Sequence, residues 1–286
     1  MRSPAVRYLN AIFTSVSFWL ITLSILNVST AFAGEEKGNR IVKAVEILAR
    51  SAQGQLLIQR ALKAWNLATV SEVVGVLKWG DASRTDAVLT RHYNPATGLE
   101  SRERQVTVYL REKQSLQNLV LDIAHELVHA TSRPAWDPYD PELTAGKYVW
   151  TAIEGPGGEV EAVVAECQVG IELADYGVSA ERCEQYLSGN RIDAQKVRRD
   201  FYRVGKWNHE ITERLGGELK MFPLVSQEAP KLYSSTGNAP YPAALLHEYD
   251  EITQIACENS RKRGLASVEN RISSSSFLTK RCHPVY

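Results

Sequence analysis

Two histidines four residues apart, with a glutamate directly after the first, make up the segment His125-Glu126-Leu127-Val128-His129, and these residue types at this spacing could do metal chemistry. On a helix, residues i and i+4 sit one turn apart on the same face, where two imidazoles can reach a single ion. Glu126 lies too far round the helix to be a third ligand, but it can hydrogen-bond a water held on the metal and serve as general base. The chain has only 6 histidines, so the pattern arises by chance on the order of one time in a hundred. The other four, His92, His209, His247 and His283, have no partner at ligand spacing and read as surface or satisfied core residues.

The helix that must carry this pattern runs from Ser115 to Thr131 and places Leu116, Leu119, Val120, Ile123 and Leu127 on one apolar stripe, the period of a core-packed helix. The histidines then project from its opposite side, toward a cleft. Upstream, 40–50 and 55–65 read as short amphipathic helices and 69–78 as a third, ending at Gly80. Segments 86–93 and 105–110 alternate apolar and polar residues about an Asn-Pro-x-x-Gly turn, which predicts a β-hairpin ending just before the motif helix. Between Arg133 and Gly158, Pro134, Pro138, Pro141 and Pro156 predict mostly loop. Trp136, Tyr139, Tyr148 and Trp150 could line a pocket there or simply pin the loop to the core.

A helix resumes at Gly158, with Val160, Val163, Val164, Cys167 and Ile171 on its core stripe. Segments 192–215 and 241–263 predict two further long helices, and a serine-rich stretch at 273–276 ends the ordered fold or links it to a short piece anchored by Cys282. Tyr202 and His209 would share one face of the first of these helices and could polarise a substrate carbonyl. Two histidines alone make an incomplete site, because zinc needs at least one more protein ligand, with an open position if it is catalytic. The helix after Gly158 is the natural donor. It offers Glu159, Glu161 and Glu166, while Glu154 in the preceding loop would be less well held.

The run HELVHA resembles the active-site helix of the zincin metallopeptidases, a likeness that covers the motif helix and at most one further helix. The extended form of that motif would need Gly at Ser132 and His at Ala135, so the resemblance implies a carboxylate ligand, as in the Glu-zincins or gluzincins. There the third ligand is a Glu on a later helix, commonly followed three residues on by a small residue, and Glu159-x-x-Ala162 has that form. Glu161, followed directly by Ala162 as in another gluzincin branch, is the alternative. The resemblance thus implies a zinc metallopeptidase holding one Zn2+ per chain, with Glu126 as general base. It implies an α+β, mostly helical fold whose active-site helix lies beside a small β-sheet, the edge of which accepts an extended peptide or protein substrate by strand addition. Amide hydrolysis in cell-wall peptides would use the same chemistry. The competing reading is a catalytically silent zincin-fold binding or scaffold protein of the cell envelope, against which Glu126 argues, since a purely structural zinc needs no base between its ligands.

Lys plus Arg and Asp plus Glu balance at 33 each, so the chain carries no basic footprint for nucleic acid. With 44% hydrophobic residues it can bury a sizeable core as one domain or two closely packed lobes. The start reads as a secretory signal: Arg2 and Arg7, the mostly apolar stretch from Ala11 to Val28, then Ala31-Phe32-Ala33, which predicts cleavage before Gly34. This divides the chain into a signal (1–33), an N-terminal helical and hairpin region (34–104), a metallopeptidase core (105–265) and a tail (266–286). The expected location is periplasmic or secreted, with no membrane contact after cleavage; oligomeric state leaves no mark in the sequence. Four cysteines in an exported chain admit three disulfide pairings, of which Cys167–Cys183 with Cys257–Cys282 is the most local. They include no CxxC pair, which argues against a cysteine metal site.

Overall fold

Ser115 starts the central helix by accepting a hydrogen bond from the Asn118 N–H at 3.1 Å, the N-cap that its position before an apolar run demands. In the computed structural model, which describes residues 39–94, 99–132, 136–179, 181–234, 237–266 and 277–282, that helix is α4, Leu116–Thr131. It is buried on more than the expected stripe: Leu121, Ala124, Val128 and Ala130 are also inside. The reason is that it is covered on several sides, by helix α2 (Ala52–Trp65), by the sheet, and by α6 (Glu159–Glu172). Burying each of its Leu, Ile and Val side chains contributes roughly 1.5–3 kcal/mol, which is why this helix can also carry buried polar groups.

The fold is mostly helical with a small sheet, an α+β arrangement. Helix α1 (39–48) and α2 precede the short α3, Val70–Val76, closed at its start by a reciprocal capping box between Thr69 and Glu72. The helix expected to continue to 78 stops at Val76, and Leu77–Gly80 forms strand β1 instead, parallel to β3 (Leu99–Arg111). Period 2 wins there because Leu77 buries while Lys78 stays exposed, and the strand ladder satisfies the backbone that the helix would have left open. Strand β2, Arg84–Asn94, pairs antiparallel with β3, so the sheet order is β1-β3-β2. The hairpin is as expected, its connecting residues lying outside those described. Val108 and Leu110 of β3 are fully buried against α4's layer, as their alternation predicts.

The segment read as loop from 133 to 158 contains a helix, α5, Ala145–Glu154. Its proline-rich flanks hid it. Thr144 caps it by accepting from the Lys147 N–H at 3.2 Å, and Gly155 ends it. The long helix expected over 192–215 is also broken: α7 (Ala194–Phe201) and α8 (Asn208–Leu215) are separated by a turn with Gly205 at φ +55°. Helix α9 (Tyr241–Ala266) and a short α10 (277–281) complete the chain. The disulfides are Cys167–Cys183 and Cys257–Cys282, the local pairing, and leave no free cysteine. The second ties α10 to α9 over a small cluster of Ala256, Cys257 and Phe277.

Two larger cores meet on α6. Its Ala162, Ala165 and Val169, with Leu173 just beyond its end, join the core built by α1, α2, α4 and the sheet, whereas Val160 and Cys167 join one built by α5, α7, α8 and α9. The boundary expected between 104 and 105 falls inside β3, and α2 and α4 share one core. Among the described residues, no helix is long and apolar enough to cross a membrane. The expected signal and the serine-rich stretch lie outside the described residues.

Candidate metal centre

Helices α4 and α6 pack closely because α6 presents small side chains to α4: Ala162 and Ala165 are 0% and 4% exposed. Along α6, residues 159, 162, 166 and 169 follow the 3-4-3 spacing that keeps one face toward a neighbouring helix. Glu159 and Glu166 are the polar members of that face, and both reach the histidines of α4. Glu159 Oε2 lies 3.5 Å from His125 Nε2, and Glu159 Oε1 lies 3.7 Å from His129 Nε2. The two Nε2 atoms are 3.1 Å apart.

The second nitrogen of each ring fixes its tautomer. His125 Nδ1 faces Glu166 Oε2 at 3.1 Å, and His129 Nδ1 faces the Gly157 carbonyl at 2.7 Å. Both partners only accept, so each Nδ1 carries the donated proton, and with both rings neutral each Nε2 turns a lone pair inward. Two facing lone pairs and a carboxylate within this distance need a cation among them. Metal ligands at about 2.0–2.1 Å in a tetrahedral arrangement stand about 3.3 Å from one another, close to the three separations found. Glu159 Oε2 is buried and has no hydrogen-bond partner. His125, His129 and Glu159 could therefore hold a metal ion through two imidazoles and one carboxylate.

Glu161, the alternative ligand, points elsewhere. It pairs with Arg60 at 2.8 Å and accepts from the Gly157 N–H at 2.8 Å, so it serves the start of α6. Glu166, a competitor as ligand, instead stands behind His125, and an ion pair joins its other oxygen to Arg182. Glu154 accepts from the Tyr202 hydroxyl at 2.9 Å and pairs with Arg198 at 2.7 Å, away from the centre. Gly157 must be glycine for two reasons. Its φ is +74°, and a Cβ there would meet Ser132 Cβ at 2.1 Å, so only a bare backbone can bring its carbonyl under His129.

Glu126 is 6% exposed and accepts from Thr85 Oγ1 of β2 at 2.7 Å. Burial raises its pKa, against the pull of His125, His129 and Thr85, the direction a general base at neutral pH requires. At His125, burial opposes the charged form, but Glu159 and Glu166 outweigh it and hold the pKa well above the usual histidine value. At Glu159 burial is likewise outweighed, by His129 and His125, and the pKa is lowered. Without metal, a proton on His125 thus supplies the positive charge that the surrounding carboxylates call for.

The centre opens into a cleft of about 690 Å³. Its lining includes residues 82–85 and Ala87, at the start of β2 and just before it, together with Trp136, Tyr148, Tyr241 and Leu245. Trp136 stacks edge-on to Tyr148 at 4.9 Å, whereas Tyr139 packs against Phe277 and Trp150 is 39% exposed, so the four aromatics divide between pocket and scaffold. Tyr202 and His209, expected to share a helix face over substrate, do not line the cleft. The break after α7 separates them, Tyr202 is buried on Glu154, and His209 is at the surface. Tyr241 does line the cleft: burial and the neighbouring Glu159 carboxylate, with which it hydrogen-bonds, push its pKa up, so its hydroxyl keeps its proton. Glu166 was findable two turns beyond Glu159, but Thr85, Arg182 and Tyr241 had no local signal. No family model, curated protein or solved structure matches the chain.

Proposed function

We propose that this chain is an exported, zinc-dependent metallopeptidase of the gluzincin type. The observation that carries the reading is the convergence of His125 Nε2, His129 Nε2 and the Glu159 carboxylate with the buried base Glu126 on the next position of the same helix. Zinc held there would supply Lewis acidity and lower the pKa of water. Glu126, its Oε2 oriented by Thr85, takes the proton from the attacking water and returns it to the leaving amine. Tyr241 faces the same cleft as a hydrogen-bond donor for the developing oxyanion. The β2 edge offers backbone groups on which an extended peptide can add as a strand. Export is supported by the two disulfides, which persist in oxidising compartments, and by the signal-like start.

Turnover of a mixed peptide library by the purified full chain tests this directly. Cleavage should appear with zinc, vanish with a chelator and return when zinc is restored. Zinc bound at one per chain without turnover of any peptide would leave a binding protein with the same centre and end the peptidase reading.

A further inference from the structure

Glu166 stands immediately before Cys167 on α6, and Arg182 immediately before Cys183 on the 3-10 segment Glu181–Tyr186. The two adjacent pairs meet side by side: the cysteines form a disulfide buried at 1% and 2% exposure, and Arg182 makes an ion pair with Glu166. Arg182 Nη2 also lies 3.9 Å from Asp122 Oδ1, one turn before Glu126 on α4. Glu166 in turn accepts from His125 Nδ1. A continuous line therefore runs from the disulfide through Arg182 and Glu166 to a ring of the metal centre.

Arg182 is 59% exposed in its side chain and rides on a segment without α-helix or long strand. An ion pair of that exposure does little by itself to hold two groups together, because a long side chain and a loose backbone give up entropy to form it. The covalent link one residue away changes this. With a sequence separation of 16, it removes most of the freedom of the intervening segment and fixes the Arg182 backbone opposite Glu166.

We infer that Arg182 is a positioning residue for the metal centre and that the Cys167–Cys183 bond makes it one, so that oxidation of this pair completes the site. The inference rests on the reading of His125 as a metal ligand. Forming the bond, the two thiols give up two protons and two electrons to a disulfide oxidant, which leaves as a dithiol, and the Sγ–Sγ bond is made. Arg182 is then seated on Glu166, and Glu166 holds the His125 ring with Nε2 toward Glu159 and His129. In the reduced chain the segment is free to carry Arg182 away, the buried Glu166 carboxylate loses its counter-charge, and His125 loses its fixed orientation. The centre is then weak before export and tight after it.

Zinc affinity of the full chain, measured by competition with a chromophoric chelator, tests this without reference to peptide cleavage. Reduction with a phosphine should weaken zinc binding about ten- to hundredfold, the range found when an outer partner of a ligating histidine is lost. Arg182→Met, with the disulfide intact, should cost a similar factor, and reducing that variant should cost no more. By reciprocity, bound zinc should protect the disulfide against reduction by the same factor. The Cys257→Ser/Cys282→Ser variant should bind zinc as the unaltered chain does. A disulfide that only supports the fold would lower the melting temperature and leave zinc affinity where it was, and that result overturns the inference. Should the reduced chain unfold, unchanged affinity in Arg182→Met overturns it alone. If the oxidised chain binds no zinc, the metal centre falls and this inference with it.

Discussion

The core around α4 and the core around α9 contribute to one cleft in different ways. The first supplies His125, Glu126 and His129 from five consecutive residues of a helix buried on several sides, so these side chains inherit the rigidity of a well-packed element. The second supplies Tyr241, and Tyr148 comes from α5 beside it; the two lie on elements far apart in the chain that are placed by how α5 and α9 pack. Helix α6 belongs to both, giving Glu159 and Glu166 to α4 and Cys167 to the other core. The lesson is a division of labour. Groups that must hold a fixed mutual geometry come from one helix pair, and groups that shape the cleft come from separate elements.

Several measurements would break or sharpen that division. On the proposed peptidase reading, Glu126→Gln keeps the shape and removes the proposed base, so hydrolysis should fall by about 10²–10⁴ in kcat with zinc content unchanged. Retained turnover would move the base elsewhere. Tyr241→Phe should lower kcat by about a hundredfold with little change in KM, the cost of one oxyanion donor. Tyr202→Phe, which loses only the bond to Glu154, should leave kcat alone and cost about 1 kcal/mol of stability. If the two tyrosines behaved alike, the second core would not be shaping the reaction.

The two candidate carboxylates of α6 make the sharper contrast. Glu159→Gln should weaken zinc binding by more than the about hundredfold loss expected for an outer partner. Glu161→Gln, losing a half-exposed pair with Arg60, should cost less than about 1 kcal/mol of stability and leave the metal in place. The reverse outcome in a zinc titration would make Glu161 the ligand.

The smallest expected effect is on the metal-free protein. His125 has a folded pKa well above its usual value, so its contribution to stability is fully present below about pH 6.5 and is lost as pH rises through the raised folded value. Denaturant midpoints of metal-free protein should therefore fall as pH rises above about 6.5, whereas zinc-loaded protein should gain, because zinc displaces that proton. His125→Asn should flatten the metal-free trend.

What the sequence determined by itself was the local chemistry. The apolar period of 115–131 sets the motif helix, the i, i+4 spacing puts His125 and His129 on one face, and the alternation of 105–110 makes a strand. These depend on backbone geometry alone, which is why they are readable without knowing any neighbour. Tertiary structure decided the rest. Glu159 and Glu161 are nearly equivalent as residues, and only the packing of Ala162 and Ala165 against α4 turns the first to the histidines while Arg60 holds the second away. Glu166 became an orienting group through the same packing. Tyr202 and His209 fell apart because a turn at Gly205 breaks the helix they were expected to share. Tyr241 entered because the start of α9 reaches the cleft that the start of β2 also lines. Contacts between elements distant in the chain carry no period and no spacing, so only the folded arrangement can assign them.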